Sequence, residues 1–512
     1  MIQALLDPVV YPEPTVKVEL KQTHISFLFL TDDFVYKIKK PVDFGFLDFT
    51  SLDKRLHYCK EEARLNQRLA KGVYLGIVKI TQANGAYRVE GQGEAVEYAV
   101  KMKRVPEEAM LNRAISEERI NAPVMERVAK RIADFHASAE QGPEISPYGS
   151  PELIRKNWDE NFSQTLDHRG STISFGSFDG IKDYVENFLL ANDALFKKRV
   201  ESGLIRDCHG DIHSDHVAIT DHIDIIDCIE FNERFRYSDI ISDAAFLSMD
   251  LEFQGRGDLA RVFERAYLSA TKDLEGQALL DFYKCYRACV RGKVESLKAS
   301  ESEVEENERR DATRRAMRLF HLALLYARGG FKPMLLIVCG LSGAGKTALS
   351  VAISKELGAL RFSSDRVRKG LVGLDPFSRA TEKFGQGIYT PEFTEKTYKE
   401  LIGRAEMELK KGRPVVVDAT FSKKRFLDMA AQAAENAGAE LRIILCTAPD
   451  EVLRQRIEKR SREKRETDAT WEICVAQKKS FESMERPHFQ LDTDAPMARL
   501  LDALFKEVYL AE

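Results

Sequence analysis

Met334-Leu335-Leu336-Ile337-Val338-Cys339-Gly340-Leu341-Ser342-Gly343-Ala344-Gly345-Lys346-Thr347 decides the fold of the C-terminal part of the chain. Its opening apolar run reads as a strand buried on both faces of a parallel sheet. From Gly340 the residues fit GxxxxGK followed by Ser or Thr, with a strand before and a helix after. Gly340, Gly343 and Gly345, with Leu341, Ser342 and Ala344 between them, let backbone N–H groups curl around phosphates. The helix N-terminus adds a potential that favours anions. Lys346 can reach the β- and γ-phosphates, and the Thr347 hydroxyl can bind Mg2+. ATP with Mg2+ is the expected ligand.

Strands and helices alternate from there. Pro414 to Asp418, a helix from Ser422, the run LRIILCTA and further helices make an α/β doubly wound pattern. Asp418 ends its strand, so its carboxylate belongs to the edge that carries the phosphate loop. It can hold Mg2+ through water or orient a nucleophile; a helix cap is the plainer alternative. In Ser364-Asp365-Arg366-Val367-Arg368, Asp365 can accept the proton of an acceptor hydroxyl and Arg368 can bind an anionic substrate. The run LRQRIEKRSREKR at 453–465 is dense in arginine. Arg456 and Arg460, spaced i,i+4, suit a lid closing over transferring phosphate, beside readings as a solvated helix or a nucleic-acid contact. Residues 334–490 resemble the small P-loop kinases, including the polynucleotide-kinase-like and zeta-toxin-like group. That resemblance implies that Lys346 and Thr347 bind nucleotide and Mg2+, that Asp365 is the candidate base, and that Arg456 and Arg460 are lid residues.

The sharpest boundary is Gly329-Gly330-Phe331-Lys332-Pro333, where a glycine pair stops a helix and proline prevents it resuming. Upstream, 23–40 reads as a β-hairpin around Thr31-Asp32-Asp33, followed by a helix over about 51–70 and two strand-like runs, YLGIVKITQ and EAVEYAVKM. Helical patterns then dominate, broken at 204–231 by short apolar runs around HGDIHSDH (209–216) and DIID (224–227). Phosphoryl transfer needs a carboxylate to orient the acceptor hydroxyl and oxygen ligands for Mg2+ close by. Asp211, and Asp227 sixteen residues on at the end of an apolar run, supply both. Lys37, on a strand, can pair with the α- and β-phosphates, and Glu62, on the next helix, can orient it.

This constellation resembles the aminoglycoside phosphotransferase family, a branch of the protein-kinase-like fold, over about 20–300. The resemblance implies that Asp211 is the catalytic carboxylate, Asp227 a metal ligand, Lys37 the phosphate-pairing lysine and Glu62 its partner. It sets Met102 near the adenine hinge and gives Asp243 a structural role. The family motif reads HGDxHxxN, but here its last position is His216. Imidazole nitrogen suits hard Mg2+ less than an amide oxygen does, so the site either tolerates His216 as a ligand, with Mn2+ as an alternative metal, or is weakened. Asp43-Phe44-Gly45 mimics the kinase metal triplet but precedes HGD, the wrong chain order.

Over 512 residues, 77 Lys and Arg against 81 Asp and Glu leave a net charge of −4, which argues against a nucleic-acid binder built on global positive charge. The longest apolar run is far short of a membrane span, and the opening residues do not read as a signal peptide. Eight cysteines without a CxxC pair point to neither a disulfide scaffold nor a structural zinc site. The expected protein is soluble and cytoplasmic. It has a kinase-like α+β domain at 1–330 (small lobe about 1–103, large lobe about 104–330) and an α/β P-loop domain with a parallel sheet at 331–512. That order resembles the bifunctional aminoglycoside phosphotransferase/ATP-binding proteins and implies two ATP-dependent phosphotransferase sites acting on small-molecule acceptors. A regulatory ATPase switch with a non-catalytic sensor half, and a nucleic-acid end kinase in the C-terminal half, stand as alternatives.

Overall fold

The computed structural model describes residues 1–45, 47–375, 386–460 and 470–511, with Arg460 described by its backbone alone. The chain divides into two compact units. One comprises 1–159, 187–250 and 261–284, the other 160–186, 251–260 and 285–512. The helix Glu306–Ala327 ends just before Gly329 and Gly330, both at positive φ, and the next strand starts at Met334. The compact units nevertheless divide elsewhere, because that helix packs within the second unit. Its Met317 belongs to the same apolar core as Leu336, Leu349 and Leu504. Its charged first half buries Arg314, which donates to Asp502 at 2.7 Å.

The first unit opens with an antiparallel sheet of β1 (Glu19–Gln22), β2 (Ser26–Leu30), β3 (Phe34–Lys39), β4 (Tyr74–Ala83), β5 (Ala86–Val89) and β6 (Ala95–Lys103), in the order β1-β2-β3-β6-β4-β5. Asn84 and Gly85, both at positive φ, close a tight hairpin between β4 and β5. Because β3 lies between β2 and β6, both of its edges are paired, and apolar layers cover both of its faces. Tyr36 and Ile38 enter one apolar layer with Phe29 and Ile80. The odd-numbered Val35, Lys37 and Lys39 point to the other face. There the helix α1 (Leu52–Asn66) packs, started by the Ser51 side chain accepting the Lys54 N–H.

Four short strands carry the loops of the larger lobe: β7 (Ile205–Asp207), β8 (Val217–Ile219), β9 (Ile223–Ile225) and β10 (Tyr237–Asp239). Strand β7 pairs with β10, and β8 with β9, both antiparallel. HGD therefore sits between β7 and β8, and Asp227 just past β9.

The second unit holds a five-stranded parallel sheet of β11 (Met334–Gly340), β12 (Leu360–Ser363), β13 (Val415–Asp418), β14 (Glu440–Thr447) and β15 (Phe489–Asp492), in the order β12-β13-β11-β14-β15. β11 is buried at every position, with apolar layers on both faces, as its unbroken apolar run requires.

Candidate functional site

In the first unit, Lys37 Nζ lies 2.8 Å from Glu62 Oε1 and 2.5 Å from Asp227 Oδ1. Glu62 is wholly buried, whereas its neighbour Glu61 pairs with Arg64 on the outer face of α1. Lys37 and Lys39 are both buried. Lys39 donates to Glu62 Oε2 at 2.7 Å and is also paired with Glu230. Burial pushes the Lys37 ammonium down, but Asp227 and Glu62 outweigh this and hold it well above its ordinary value. Burial likewise pushes Glu62 and Asp227 up, and Lys37 brings each below the usual carboxylate range. Glu230 stays raised, because burial exceeds what Lys39 returns. Met102 stands opposite Val35 on β3 and packs with Val100 and Tyr74 in the apolar layer beneath α1.

Asp227 adopts φ +65°, a left-handed conformation uncommon for a non-glycine residue, which the surroundings must impose. Its N–H donates to the Tyr74 hydroxyl at 3.1 Å, and the next N–H, of Cys228, donates to Asn66 Oδ1 at 2.9 Å. The HGD loop is held from beneath by the helix Ile240–Phe253. Asp243 accepts the N–H groups of His209 (2.9 Å) and Gly210 (2.8 Å), and Asp250, seven residues on, accepts that of Ser214 (2.9 Å). Gly210 is required: its φ is +87°, and a Cβ there would lie 2.8 Å from the Phe235 carbonyl oxygen. Sequence reasoning missed Lys39, Asn66, Tyr74, Glu230 and Asp250. Only Lys39, two residues from Lys37, and Asp250, on the same helix face as Asp243, carried a periodic signal.

His216 joins the two carboxylates. Its Nδ1 lies 2.9 Å from the Asp211 carbonyl oxygen and 3.4 Å from Asp211 Oδ2; its Nε2 lies 3.5 Å from Asp227 Oδ2. A carbonyl oxygen has no proton to give, so Nδ1 donates. In a neutral imidazole the Nε2 lone pair then faces the Asp227 carboxylate. Burial, then His213, lower the ring's pKa against the opposing pull of Asp211 and Asp227, which favours the neutral form. Two acceptors facing each other call for a cation between them, and the donor set, one nitrogen and one carboxylate, fits a divalent metal that accepts both. Asp211, His213 and His216 also offer ligand atoms within 4.8 Å of one another. Asp43-Phe44-Gly45 forms a turn in which Asp43 accepts the Gly45 N–H.

In the second unit the phosphate loop joins β11 to the helix Lys346–Leu357. Gly340 has φ +132°, and a Cβ there would stand 2.3 Å from the Cys446 carbonyl oxygen. Lys346 Nζ donates to Leu341 O at 2.9 Å. Asp418 pairs in register with Val338 of β11, so it reaches the edge carrying the loop; it accepts from Ser350 Oγ (3.2 Å) and Arg361 Nη2 (2.8 Å). Ser350 lies three residues past Thr347, on the same helix. Asp365, in the first turn of the helix Ser364–Gly370, follows β12 at that same edge. Arg368 is buried and donates to Ile388 O (2.5 Å) and Thr394 Oγ1 (3.2 Å), so its guanidinium is engaged in holding the fold. Arg456 donates to Thr493 Oγ1 (2.9 Å) and Thr493 O (2.8 Å), beside Gly345. Arg460 ends the same helix, and its side chain lies outside the described residues, as does the whole of the arginine run beyond it. One contact at the loop was not anticipated: Ser342 N–H donates to Gln477 Oε1 at 3.0 Å, and Cys474, one turn earlier, donates to Ser342 O at 3.3 Å.

A buried lysine–glutamate pair facing two loop carboxylates lies under the antiparallel sheet of the first unit, and a phosphate loop lies on the parallel sheet of the second. The second unit has the fold and the phosphate loop of a P-loop nucleotide-binding domain. A family model described as an AAA domain matches residues 335–484. Over 483 residues the chain is 30% identical to the Mycobacterium tuberculosis protein named Uncharacterized protein Rv2004c, covering 94% of this chain and 93% of the relative. The Mycobacterium bovis protein Mb2027c matches to the same extent, and the chain belongs to the family of these full-length mycobacterial relatives. Among solved structures, a choline/ethanolamine kinase family protein from Mesorhizobium loti is 12% identical with a TM-score of 0.37, covering 64% of this chain and 99% of its own. A sugar kinase from Janibacter is 17% identical with a TM-score of 0.27, covering 35% and 96%. Likenesses that slight say nothing of substrate. Among the described residues no helix is long and apolar enough to cross a membrane.

Proposed function

We propose that the chain carries two separate ATP sites, each passing the γ-phosphate to a hydroxyl of a small-molecule acceptor. The observation that carries the reading is the convergence of Lys37, Glu62, Asp211, His216 and Asp227, from four separate stretches of chain, around one site in the first unit. In this reading Lys37 leaves Asp227 for the nucleotide phosphates while Glu62 keeps it aimed. Asp211 orients the acceptor hydroxyl and takes its proton. His216 and Asp227 would hold a divalent metal, Mg2+ or Mn2+, whose bound charge neutralises the phosphates. In the second unit the N–H groups of 343–347 and Lys346 hold phosphate, Thr347 and Asp418 would hold Mg2+, and Asp365 is the candidate base.

The test is transfer of labelled phosphate from ATP into a cell metabolite extract, comparing wild type with Asp211→Ala and Lys346→Ala. Each variant should lose a different labelled product; if wild type labels nothing that either variant loses, the reading fails. His216 favours a second reading, in which the first unit senses a nucleotide without transferring phosphate. Nucleotide binding with no product dependent on Asp211 would select it.

A further inference from the structure

A helix carboxylate that serves one lysine can swing away from it, whereas Glu62 is ion-paired through both oxygens: Oε1 with Lys37 at 2.8 Å and Oε2 with Lys39 at 2.7 Å. Lys39 reaches this position because it lies two residues from Lys37 on β3, on the same face. Its side chain and that of Glu62 are both 0% exposed, so Lys39 itself cannot meet a ligand. Its ammonium also sits 4.9 Å from the centre of the Phe49 ring and holds Glu230, whose side chain is 4% exposed. Glu230 lies three residues past Asp227. One buried ammonium therefore joins β3, α1 and the segment that carries Asp227.

We propose that Lys39 and Glu230 form a positioning lock that keeps the Lys37–Glu62 pair assembled whether or not nucleotide is present. This rests on the reading of the first unit as a nucleotide site. Lys37 is the exchangeable member, shared between Glu62 and Asp227; Lys39 is the fixed one.

The experiment uses the full chain carrying Lys346→Ala, which silences the phosphate loop, and titrates MgATP by calorimetry. If this parent binds no MgATP, the reading of the first site fails and not the lock alone. In a parent that binds, the double variant Lys39→Met/Glu230→Met replaces the buried ion pair by apolar groups of similar size, which proteins tolerate. The expected result is a melting temperature close to that of the parent and a loss in MgATP affinity of about tenfold. In addition, Lys37→Met should cost much less in that background than in the parent, since the two act through one carboxylate. Parent-like affinity, with Lys37→Met costing its full amount, overturns the proposal. Should the double variant not fold, Glu230→Gln is read by the same titration. A loss of about threefold or more at unchanged melting temperature supports the lock; unchanged affinity overturns it.

Discussion

Lys37 Nζ and Asp227 Oδ1, 190 positions apart in the chain, lie 2.5 Å from each other. The lysine proposed to pair with phosphates thus bridges to the residue proposed to hold the metal, and in that reading nucleotide takes it from that partner. Lys37→Met should leave the chain folded, because Glu62 keeps Lys39, while MgATP affinity of the first site falls by about tenfold or more, ~1.4 kcal/mol per decade. Calorimetry on the full chain with Lys346→Ala reads this directly. Equal affinity with and without Lys37 would remove it from the site.

In the proposed reading Asp211 serves the acceptor hydroxyl, whereas Lys37 and Asp227 serve the nucleotide and its metal. Asp211→Asn should lower transfer at the first site by about 10²- to 10⁴-fold while MgATP affinity changes by less than about threefold. A parallel fall in affinity would mean that Asp211 acts on the metal or nucleotide instead.

With Nδ1 committed to the Asp211 carbonyl, His216 offers Nε2 toward Asp227. His216→Asn exchanges that nitrogen for an amide oxygen and should shift the preference of nucleotide binding from Mn2+ toward Mg2+ by on the order of tenfold. Titrations with each metal at one pH check it. An unchanged Mn2+/Mg2+ ratio would show that His216 holds the loop and no metal.

Gln477 accepts the N–H of Ser342, a residue only 8% exposed. Gln477→Ala leaves that N–H without its acceptor, at a cost of about 1–3 kcal/mol, and should lower the melting temperature of the second unit. Gln477→Glu keeps an acceptor but sets a negative charge beside the phosphate loop. It should melt like wild type and bind ATP about tenfold more weakly. Parent-like ATP binding by both variants would make Gln477 a bystander.

The helix Glu306–Ala327 contributes Met317 to the P-loop core and Arg314 to Asp502. A fragment beginning at 331 strips both contacts, and burial of one such methionine alone is worth about 1.5–3 kcal/mol. A 302–512 fragment should therefore melt several degrees above a 331–512 fragment, measured by calorimetry. Identical melting would place the boundary at the glycine pair.

What the amino-acid sequence determined by itself was whatever depends on neighbours in the chain. The phosphate loop is legible because its N–H groups, lysine and threonine belong to consecutive residues whose spacing sets their geometry. The alternating strands and helices around it, and the HGD-to-Asp227 interval, are legible for the same reason. The tertiary structure decided matters in which partners come from distant strands and helices. Period two places Lys37 and Lys39 on one face, but only the packing of α1 shows that Glu62 takes both and that Lys37 alone reaches Asp227. The stretch Glu61-Glu62 offers two carboxylates, and burial selects the second. Arg368, a plausible anion ligand by composition, is drawn into the fold by a carbonyl twenty residues away. Charge and hydrogen-bond capacity are written in the residue type; whether they are used by a ligand or by the fold depends on which groups arrive opposite once both are out of water.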